Sequence, residues 1–225
     1  MLPAGFSAEQ SLNKTLPEVK QQAMRFKKWR AGESAVLPFE LKFGSHVLHG
    51  SLDGIYPQGA ARIVLGEMRG RHHCMQGLDA LLLSAMQQGI PLVEFAELKK
   101  GEPLQRIRPT HEKEDAIRHL SVLMDLFIEG QKRPLPFHPD AGFSYFRYGA
   151  VEETEINEKA WEKAAEAMPE NDLWWATAMR GNDPFLDLGE QHDTLVGRRD
   201  FSETSVSVFR ACAPEFIGSG EDADD

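Results

Sequence analysis

Asp53, Glu67 and Arg69 are the residues of this chain whose types and spacing could support phosphodiester chemistry. Asp53 lies in one strand-like run, while Glu67 and Arg69 lie two residues apart in the next run and so share one side of their strand. If the two strands pair, the three side chains could converge. Carboxylates of this kind hold Mg²⁺, and a nearby cation orients the attacking water and balances the developing charge.

This candidate site is incomplete for metal-dependent hydrolysis. Only two carboxylates occupy the expected positions, whereas a third ligand usually comes from a preceding helix. Arg69 stands where a lysine would suit the chemistry, and its planar, permanently charged guanidinium is not a conservative replacement. The pattern therefore favours structural or surface roles for Asp53, Glu67 and Arg69, and catalysis by Asp53 and Glu67 is the alternative.

The remaining polar groupings are weaker candidates. His46 and His49 are three residues apart, so a strand points them to opposite faces and a joint metal site is not expected. The adjacent side chains of residues 72–74 (HHC) indicate surface rather than a metal centre. No glycine-rich phosphate loop is present, so we expect no nucleotide site, and no cofactor except Mg²⁺ under the nuclease alternative. Trp174 and Trp175 could stack on bases, but their spacing favours packing.

The composition is that of a chain able to bury a core. It has 225 residues, of which 41% are hydrophobic, and a formal charge of −10, which argues against binding DNA over a broad surface. Its apolar runs are too short to span a membrane, and its first residues show no secretory signal. The two cysteines cannot form a disulfide framework, so we expect a cytoplasmic protein without a membrane partner.

Basic residues are grouped along the chain in spite of its negative charge. Groups of this kind are usually solvated surface. A coherent basic groove would instead indicate a free-standing nucleic-acid-binding module, which is a third possibility. The groups are Arg25, Lys27, Lys28 and Arg30; Arg69 and Arg71; Lys132 and Arg133; and Arg198 and Arg199.

The first half of the chain is predicted to form a helix, a three-stranded meander and a second helix. The first helix is expected to begin at residues 16–18 (LPE) and to end at Gly32. Strand-like runs cover residues 36–43, 47–56 and 62–65 with some continuation, and the turn residues between them favour antiparallel pairing. Alternation puts one set of the middle run on a single face: Val47, His49, Ser51, Asp53 and Ile55. The second helix is expected to bury Met75, Leu78, Leu82 and Ala85.

The next part of the chain is predicted to add two strands and a long helix. The strands cover residues 92–98 and 104–108, with a turn at residues 99–101. The helix covers residues 112–129 and ends at Gly130. Its buried stripe is expected to contain Ala116, Leu120, Leu123 and Phe127.

The last part of the chain is predicted to be helical. Prolines keep residues 134–139 out of helices and central strands, and helices are expected over residues 156–168 and 171–179. A final helix is expected to open with a capping box at Asp200 and Glu203 and to run through Cys212. The acidic residues 218–225 are expected to be a disordered tail. The whole pattern predicts an α+β fold, with one central mixed sheet and flanking helices in a single domain over residues 1–217.

Several short stretches occur in an order and spacing that together are specific. They are residues 2–6 (LPAGF), 49–52 (HGSL), 69–71 (RGR) ahead of 78–81 (LDAL), the helix end and prolines of 127–139, 179–185 (MRGNDPF) and 201–216. Through them the chain resembles the C-terminal domain of RecC, the gamma subunit of exodeoxyribonuclease V, the RecBCD helicase–nuclease. Since the chain resembles only the last part of that subunit, we expect it to be an excised domain or a fragment.

This resemblance implies a restriction-endonuclease-like core of the PD-(D/E)xK type with a degenerate active site. It implies a non-catalytic domain that scaffolds an ATP-dependent helicase–nuclease in double-strand-break repair and homologous recombination, and that guides duplex or forked DNA. The implied partners are RecB-like and RecD-like subunits, of which the RecB-like subunit carries the nuclease activity.

The resemblance also assigns positions to the candidate residues. A metal ligand of active relatives aligns best with Ala8, which supplies no ligand. Asp53 falls at the first acidic position, and Glu67 and Arg69 fall near the acid-x-lysine position. These three are therefore expected to be relics, with no catalytic, cofactor-binding or metal-binding residue in the domain. The alternative is a divergent Mg²⁺-dependent DNA nuclease that uses Asp53 and Glu67.

Overall fold

The computed structural model forms two compact units, which we describe separately. It describes residues 6–97, 103–149, 157–168, 175, 179, 185, 194–217 and 219, and gives the backbone alone for residues 6–12, 14, 15 and 194–199. Unit 1 comprises Met1–Met68 and Met86–His111, and unit 2 comprises Arg69–Ala85 and Glu112–Asp225. The single-domain prediction stays a prediction, because compactness does not say whether either unit folds alone. The predicted tail lies outside the described residues, except for residue 219.

Unit 1 opens with the long helix α1 (Phe6–Trp29). The predicted start at residues 16–18 is wrong, because the helix passes through Pro17 rather than beginning there. An interior proline removes one backbone hydrogen bond and costs about 3 kcal/mol, which is why its presence usually indicates a helix start. The end is close to the predicted one, and Gly32 follows it with a left-handed φ of 74°.

A five-stranded mixed sheet occupies the rest of unit 1 in the order β1-β2-β3-β4-β5. Its strands are β1 (Ala35–Phe43), β2 (His46–Tyr56), β3 (Gly59–Glu67), β4 (Leu92–Glu97) and β5 (Pro103–Arg108). β3 and β4 are parallel, and the other three neighbouring pairs are antiparallel. The predicted meander, the two later strands and the α+β class are confirmed. The predicted turn at residues 99–101 lies outside the described residues.

An aromatic cluster holds α1 against this sheet. Phe26 and Trp29 of α1 each contact both Tyr56 and Phe95, with ring centroids 5.5–5.9 Å apart and edge-to-face geometry. Such pairs contribute about 0.5–1.5 kcal/mol each beyond the area they bury. In the same helix, the amide of Gln22 donates a buried hydrogen bond of 2.7 Å to the carbonyl of Ala96 in β4. These ring contacts and this hydrogen bond determine which face of α1 packs on the sheet.

The described part of unit 2 is helical. Its helices are α2 (Gly70–Ala85), α3 (Lys113–Lys132), α4 (Pro139–Gly149), α5 (Glu158–Glu166) and α6 (Thr194–Cys212), followed by a 3₁₀ turn (Pro214–Phe216). None of the described helices is both long and apolar enough to cross a membrane. Trp175 is buried in an apolar cluster with Trp161 and Phe201, so its predicted packing role is confirmed. Trp174 and most of residues 171–179 lie outside the description.

The predicted apolar faces of the helices are right only in part. On α2, Leu82 and Ala85 are buried, but Met75 and Leu78 are 66% and 38% exposed. The reason is that α2 packs against α3, α4 and α6, so it has more than one buried side. On α3, Ala116 and Leu120 are buried as predicted, whereas Phe127 is largely exposed.

Two predicted helix boundaries in unit 2 are wrong. α3 continues past Gly130 to Lys132. α6 begins at Thr194, so Asp200 lies inside the helix and does not cap it. The carboxylate of Asp200 instead forms an ion pair with Arg133 at 3.2 Å. Its end at Cys212 is confirmed. The pattern also does not predict α4, whose first residue is a proline, a position where the missing N–H costs nothing.

Candidate functional site

Asp53 lies at an irregularity of β2. Leu52 and Ile55 are three residues apart, yet they pair with residues of β1 that are two apart, so β2 carries one extra residue here. Gly54 has a φ of 63°, the left-handed conformation typical of a glycine in a β-bulge. Because alternation breaks at this bulge, the predicted shared face of Asp53 and Ile55 is wrong.

The carboxylate of Asp53 is exposed and has a fixed cation beside it. Its Oδ1 lies 3.7 Å from Nη1 of Arg62 in β3, and 89% of its side chain is accessible. The same Nη1 donates to the carbonyl oxygens of Asp53 and Ala61 at 2.9 Å. A Cβ on Gly54 would lie 3.1 Å from the Ala61 oxygen and from this nitrogen. The local backbone therefore holds a guanidinium, which cannot act as a base, next to the candidate carboxylate.

Arg62 belongs to a row of alternating charges that crosses four strands. It pairs in register with Glu94 of β4, and Glu94 pairs with Arg106 of β5. The fully buried carboxylate of Glu94 accepts from Nε of Arg106 with one oxygen and from Nε of Arg108, at 2.6 Å, with the other. This row of charges was not predicted from the sequence. In the sequence, the row is indicated by an acid inside a mostly apolar strand and by an arginine-x-arginine pattern in the following strand.

Glu67 lies at the end of β3, beside a second irregularity. Ile63 and Glu67 are four residues apart on β3, yet they pair with Phe95 and Glu97, which are two apart on β4, and Gly66 has a φ of 94°. Glu67 is exposed and pairs with Glu97, which is largely buried. Two like charges in register repel each other.

The pairing of β2 with β3 does not place Asp53 opposite Glu67. The two strands pair only beside their turn, at Ile55 with Ala60 and at Tyr56 with Gly59. Asp53 lies close to this turn, whereas Glu67 lies at the far end of β3 and pairs with β4. The predicted convergence of the three side chains required β2 and β3 to pair along their length, and the two strands pair only at the turn.

Arg69 lies outside any strand, at the start of α2 in unit 2. Its backbone N–H donates to Nδ1 of His72 at 2.9 Å, and its carbonyl accepts from the N–H of His72 and of His73. This is the geometry of a capping box in which a histidine takes the usual place of glutamate. The predicted strand face shared by Glu67 and Arg69 is wrong, because β3 ends at Glu67 and the chain turns into a helix at Gly70.

The start of α2 favours a neutral His72. Burial is the main cause that lowers the pKa of His72 below its ordinary value of 6.5, and the charges of Arg71 and Arg69 lower it further. Asp140 of α4 opposes them and accepts a hydrogen bond of 3.1 Å from the N–H of Arg71. A neutral ring is required here, because Nδ1 must accept from the backbone.

The other predicted candidates do not form a metal centre in the described part of the chain. No group of three or more His, Cys, Asp or Glu side chains that could hold a metal ion occurs there. His46 and His49 lie three residues apart on β2, before its bulge, and both are exposed. The surface prediction for residues 72–74 is wrong for His73, which is buried and stacks on Phe143 at 4.2 Å. Only the backbone of Ala8, within α1, is described.

Comparison with models of known protein families identifies the family of this chain. The family model described as the RecC C-terminal domain matches residues 1–150, two thirds of the 225 residues. The chain belongs to the RecC C-terminal domain family. The matched part contains all five strands and the candidate residues Asp53, Glu67 and Arg69, and it confirms the resemblance found in the sequence. A comparison with curated proteins found no match.

Proposed function

We propose that this chain is a non-catalytic scaffold and DNA-guiding domain of a RecC-like subunit in a RecBCD-type helicase–nuclease. The complex would act in double-strand-break repair and homologous recombination, with RecB-like and RecD-like subunits as partners. One observation carries the proposal: Asp53 is ion-paired with Arg62, and the pairing of β2 and β3 leaves Glu67 facing Glu97 instead of Asp53. A permanent cation beside Asp53 competes with a divalent ion, and a second acid beside Glu67 does not supply the missing lysine.

The order of elements supports a restriction-endonuclease-like core for the domain. A helix, a three-stranded antiparallel meander and a second helix are followed by a strand parallel to β3. This is the order in which a PD-(D/E)xK core is built, with its acids on β2 and β3. We propose that the core was kept as a scaffold after the metal site lost its ligands, so the domain would need no cofactor.

Metal binding and cleavage test the non-catalytic part of the proposal. The chain is titrated with Mg²⁺ by calorimetry and incubated at high concentration with a labelled duplex and Mg²⁺ or Mn²⁺. We expect no cleavage and no binding that depends on Asp53. Millimolar Mg²⁺ binding that Asp53→Asn abolishes, together with cleavage of the duplex, would contradict the proposal.

Co-purification tests the scaffolding part of the proposal. The chain, within its RecC-like subunit, is expressed with RecB-like and RecD-like subunits and isolated by affinity chromatography. We expect one complex whose assembly is unaffected by Asp53→Asn and Glu67→Gln, because these residues are proposed as relics. Failure of the subunits to associate would refute the scaffold role.

The structure also supplies one observation in favour of a divergent Mg²⁺-dependent nuclease. Asp53 and Glu67 are both exposed, and each lies beside a left-handed glycine at a strand irregularity. Irregularities of this kind are frequent beside active sites, where they re-aim a side chain. Under this alternative, Arg69→Lys should preserve or raise cleavage and Glu67→Gln should abolish it. A wild-type chain without cleavage in Mg²⁺ and Mn²⁺ removes the alternative.

A further inference from the structure

The outward face of α1 carries a group of cations. Lys20, Lys27 and Lys28 are exposed on this helix, and Arg30 follows its last residue. We call these four residues the α1 basic face. Because the aromatic cluster holds the opposite side of α1 on the sheet, the three lysines are held toward solvent, while the guanidinium of Arg30 lies 6.0 Å from the centroid of the Phe26 ring.

The lysines of the α1 basic face have no acidic partners among the residues that the structure describes. In the part of the chain that the structure describes, none of the three forms an ion pair. No acid lies three or four positions from any of them in the sequence. Several cations in the helices of unit 2 differ, since an acid lies one turn away from each of them. The pairs there include Arg118 with Asp115, Lys132 with Glu129, and Lys163 with Glu166.

Stability of the helix explains only part of this arrangement. Lys27 and Lys28 lie in the last turn of α1, where positive charge interacts favourably with the helix dipole. Lys20 lies two turns earlier, where that effect has died away. Lys27 and Arg30 are three positions apart, and like charges at this spacing repel each other. The group as a whole is therefore better explained by an anion that binds it.

We infer that the α1 basic face binds the phosphate backbone of DNA. Lys20 and Lys28 are eight residues apart, which is about 12 Å along the helix axis. Duplex DNA carries a charge about every 1.7 Å, so several phosphates lie within that length, and each lysine that contacts one releases counterions. This inference rests on the proposed function, and it names the surface by which the domain holds DNA.

Two other classes of partner fit the α1 basic face less well. A membrane-binding helix inserts an apolar face, but the apolar face of α1 is already buried on the sheet. A protein partner needs about 800 Å² per side with an apolar centre. Among the α1 residues whose side chains the structure describes, the large exposed apolar ones are Leu16 and Met24, and two side chains supply only a small part of such a centre.

The inference is tested by fluorescence anisotropy with the 225-residue chain and a labelled forked duplex, over a salt series from about 50 to 200 mM. The test variant is Lys20→Gln, Lys27→Gln, Lys28→Gln. The matched control is Arg118→Gln, Lys132→Gln, Lys159→Gln, which removes the same number of positive charges from unit 2. A third variant replaces the three α1 lysines by arginine, which keeps the charge.

We expect the wild type to bind the duplex. In the test variant, the slope of log affinity against log salt should be about 2.7 smaller, at about 0.9 per lost phosphate contact. At the lowest salt its affinity should be weaker by about 40-fold or more, because a slope difference of about 2.7 over a roughly fourfold range of salt amounts to about 40-fold. The unit 2 control and the arginine variant should keep the wild-type slope, and thermal unfolding checks that all variants are folded.

Each contrary result has a separate meaning. If the test variant binds like the wild type, the inference is overturned and the proposed function is not. If the unit 2 control loses the same slope, binding follows net charge and the α1 basic face is not the site. If the wild type does not bind, the DNA-guiding role of this chain fails together with the inference. If phosphatidylserine vesicles or a polyglutamate peptide bind the wild type as tightly as the duplex, the assignment to DNA is wrong.

Discussion

Unit 1 buries charge inside its sheet, whereas unit 2 packs aromatic rings and leaves its ion pairs at the surface. In unit 1, the fully buried Glu94 links two arginines of the neighbouring strand. In unit 2, Phe146, Phe201 and Phe209 are fully buried, and a pair such as Arg118 with Asp115 is exposed. Buried ion pairs seldom add net stability, but breaking one is costly, so they favour one strand register over others. In unit 1, buried ion pairs therefore help to determine the strand register, whereas in unit 2 the packing of apolar side chains holds the helices together.

The largest effect is expected at the buried charge of unit 1. Glu94→Gln removes the buried anion that Arg106 and Arg108 share, so the unfolding free energy should fall by about 3–5 kcal/mol, as measured by urea denaturation. The matched change in unit 2, Asp115→Asn, should have little effect because that pair is exposed. A triple variant with Glu94→Leu, Arg106→Met and Arg108→Met should recover most of the loss. Equal effects of the two single changes would break the comparison.

The next effect concerns how closely the helices of unit 2 approach. A Cβ on Gly77 of α2 would lie 2.1 Å from the carbonyl oxygen of Cys212 and 2.6 Å from its Cα. Gly77→Ala should therefore destabilise the protein by about 1–3 kcal/mol or more, because backbone must move. Gly130→Ala in α3 meets only the side chain of Leu135, at 3.7 Å, and should stabilise by about 0.5–1 kcal/mol. Thermal unfolding of both variants measures the difference, and a Gly77→Ala protein as stable as the wild type would refute the close approach.

A smaller effect is expected at the start of α2. Asp140 accepts a hydrogen bond from the N–H of Arg71 and places negative charge at a helix N-terminus. Asp140→Ala should cost about 1 kcal/mol in a denaturation experiment. Asp125→Ala, an exposed change in α3, is the control and should stay within about 0.5 kcal/mol of the wild type. If Asp140→Ala falls in the same range, α2 does not depend on this contact.

The smallest expected effect is a pH dependence carried by unit 2. Burial lowers the pKa of His72 and of His119 below the ordinary value of 6.5, so the unfolded chain binds more protons than the folded one. Their contribution to stability is complete above about pH 6.5 and is lost as the pH falls below it. His72→Gln keeps an acceptor for the backbone of Arg69 without titrating, so it should reduce the loss of melting temperature between pH 7 and pH 5. An unchanged loss would show that other groups cause it.

Strand and helix patterns in this sequence predicted most of the elements. The runs over residues 36–43 and 47–56 became β1 and β2, since alternation and turn residues act locally. The start of α1 could not be predicted in this way, because the helix continues through Pro17, a residue whose local preference is for the first turn of a helix. The extent of the buried surface of α2 was missed for a similar reason, since the number of neighbours of a helix is not contained in its own periodicity.

The candidate site was predicted in its residues but not in its geometry. Asp53 lies on β2 and Glu67 on β3, and each lies beside a strand irregularity with a neighbouring left-handed glycine. A one-residue bulge reverses the alternation on which face predictions depend, and the glycine inside the second strand-like run was the available signal for it. The partner of Asp53 was missed because Arg62 meets it across a turn, through pairing that the sequence of either strand does not specify.

Local patterning was enough for the α+β class and for the five strands, because periodicity needs only neighbouring residues. The order of short motifs along the chain was enough for the resemblance to the RecC C-terminal domain, which the family comparison confirms. Long-range packing decided which charges meet. The pairing of Arg62 with Asp53, the burial of Glu94 between two arginines and the position of Arg69 at a helix start all depend on contacts between distant segments. Since the strength of a charge depends on its partners and its burial, the chemistry of the site follows from the tertiary fold.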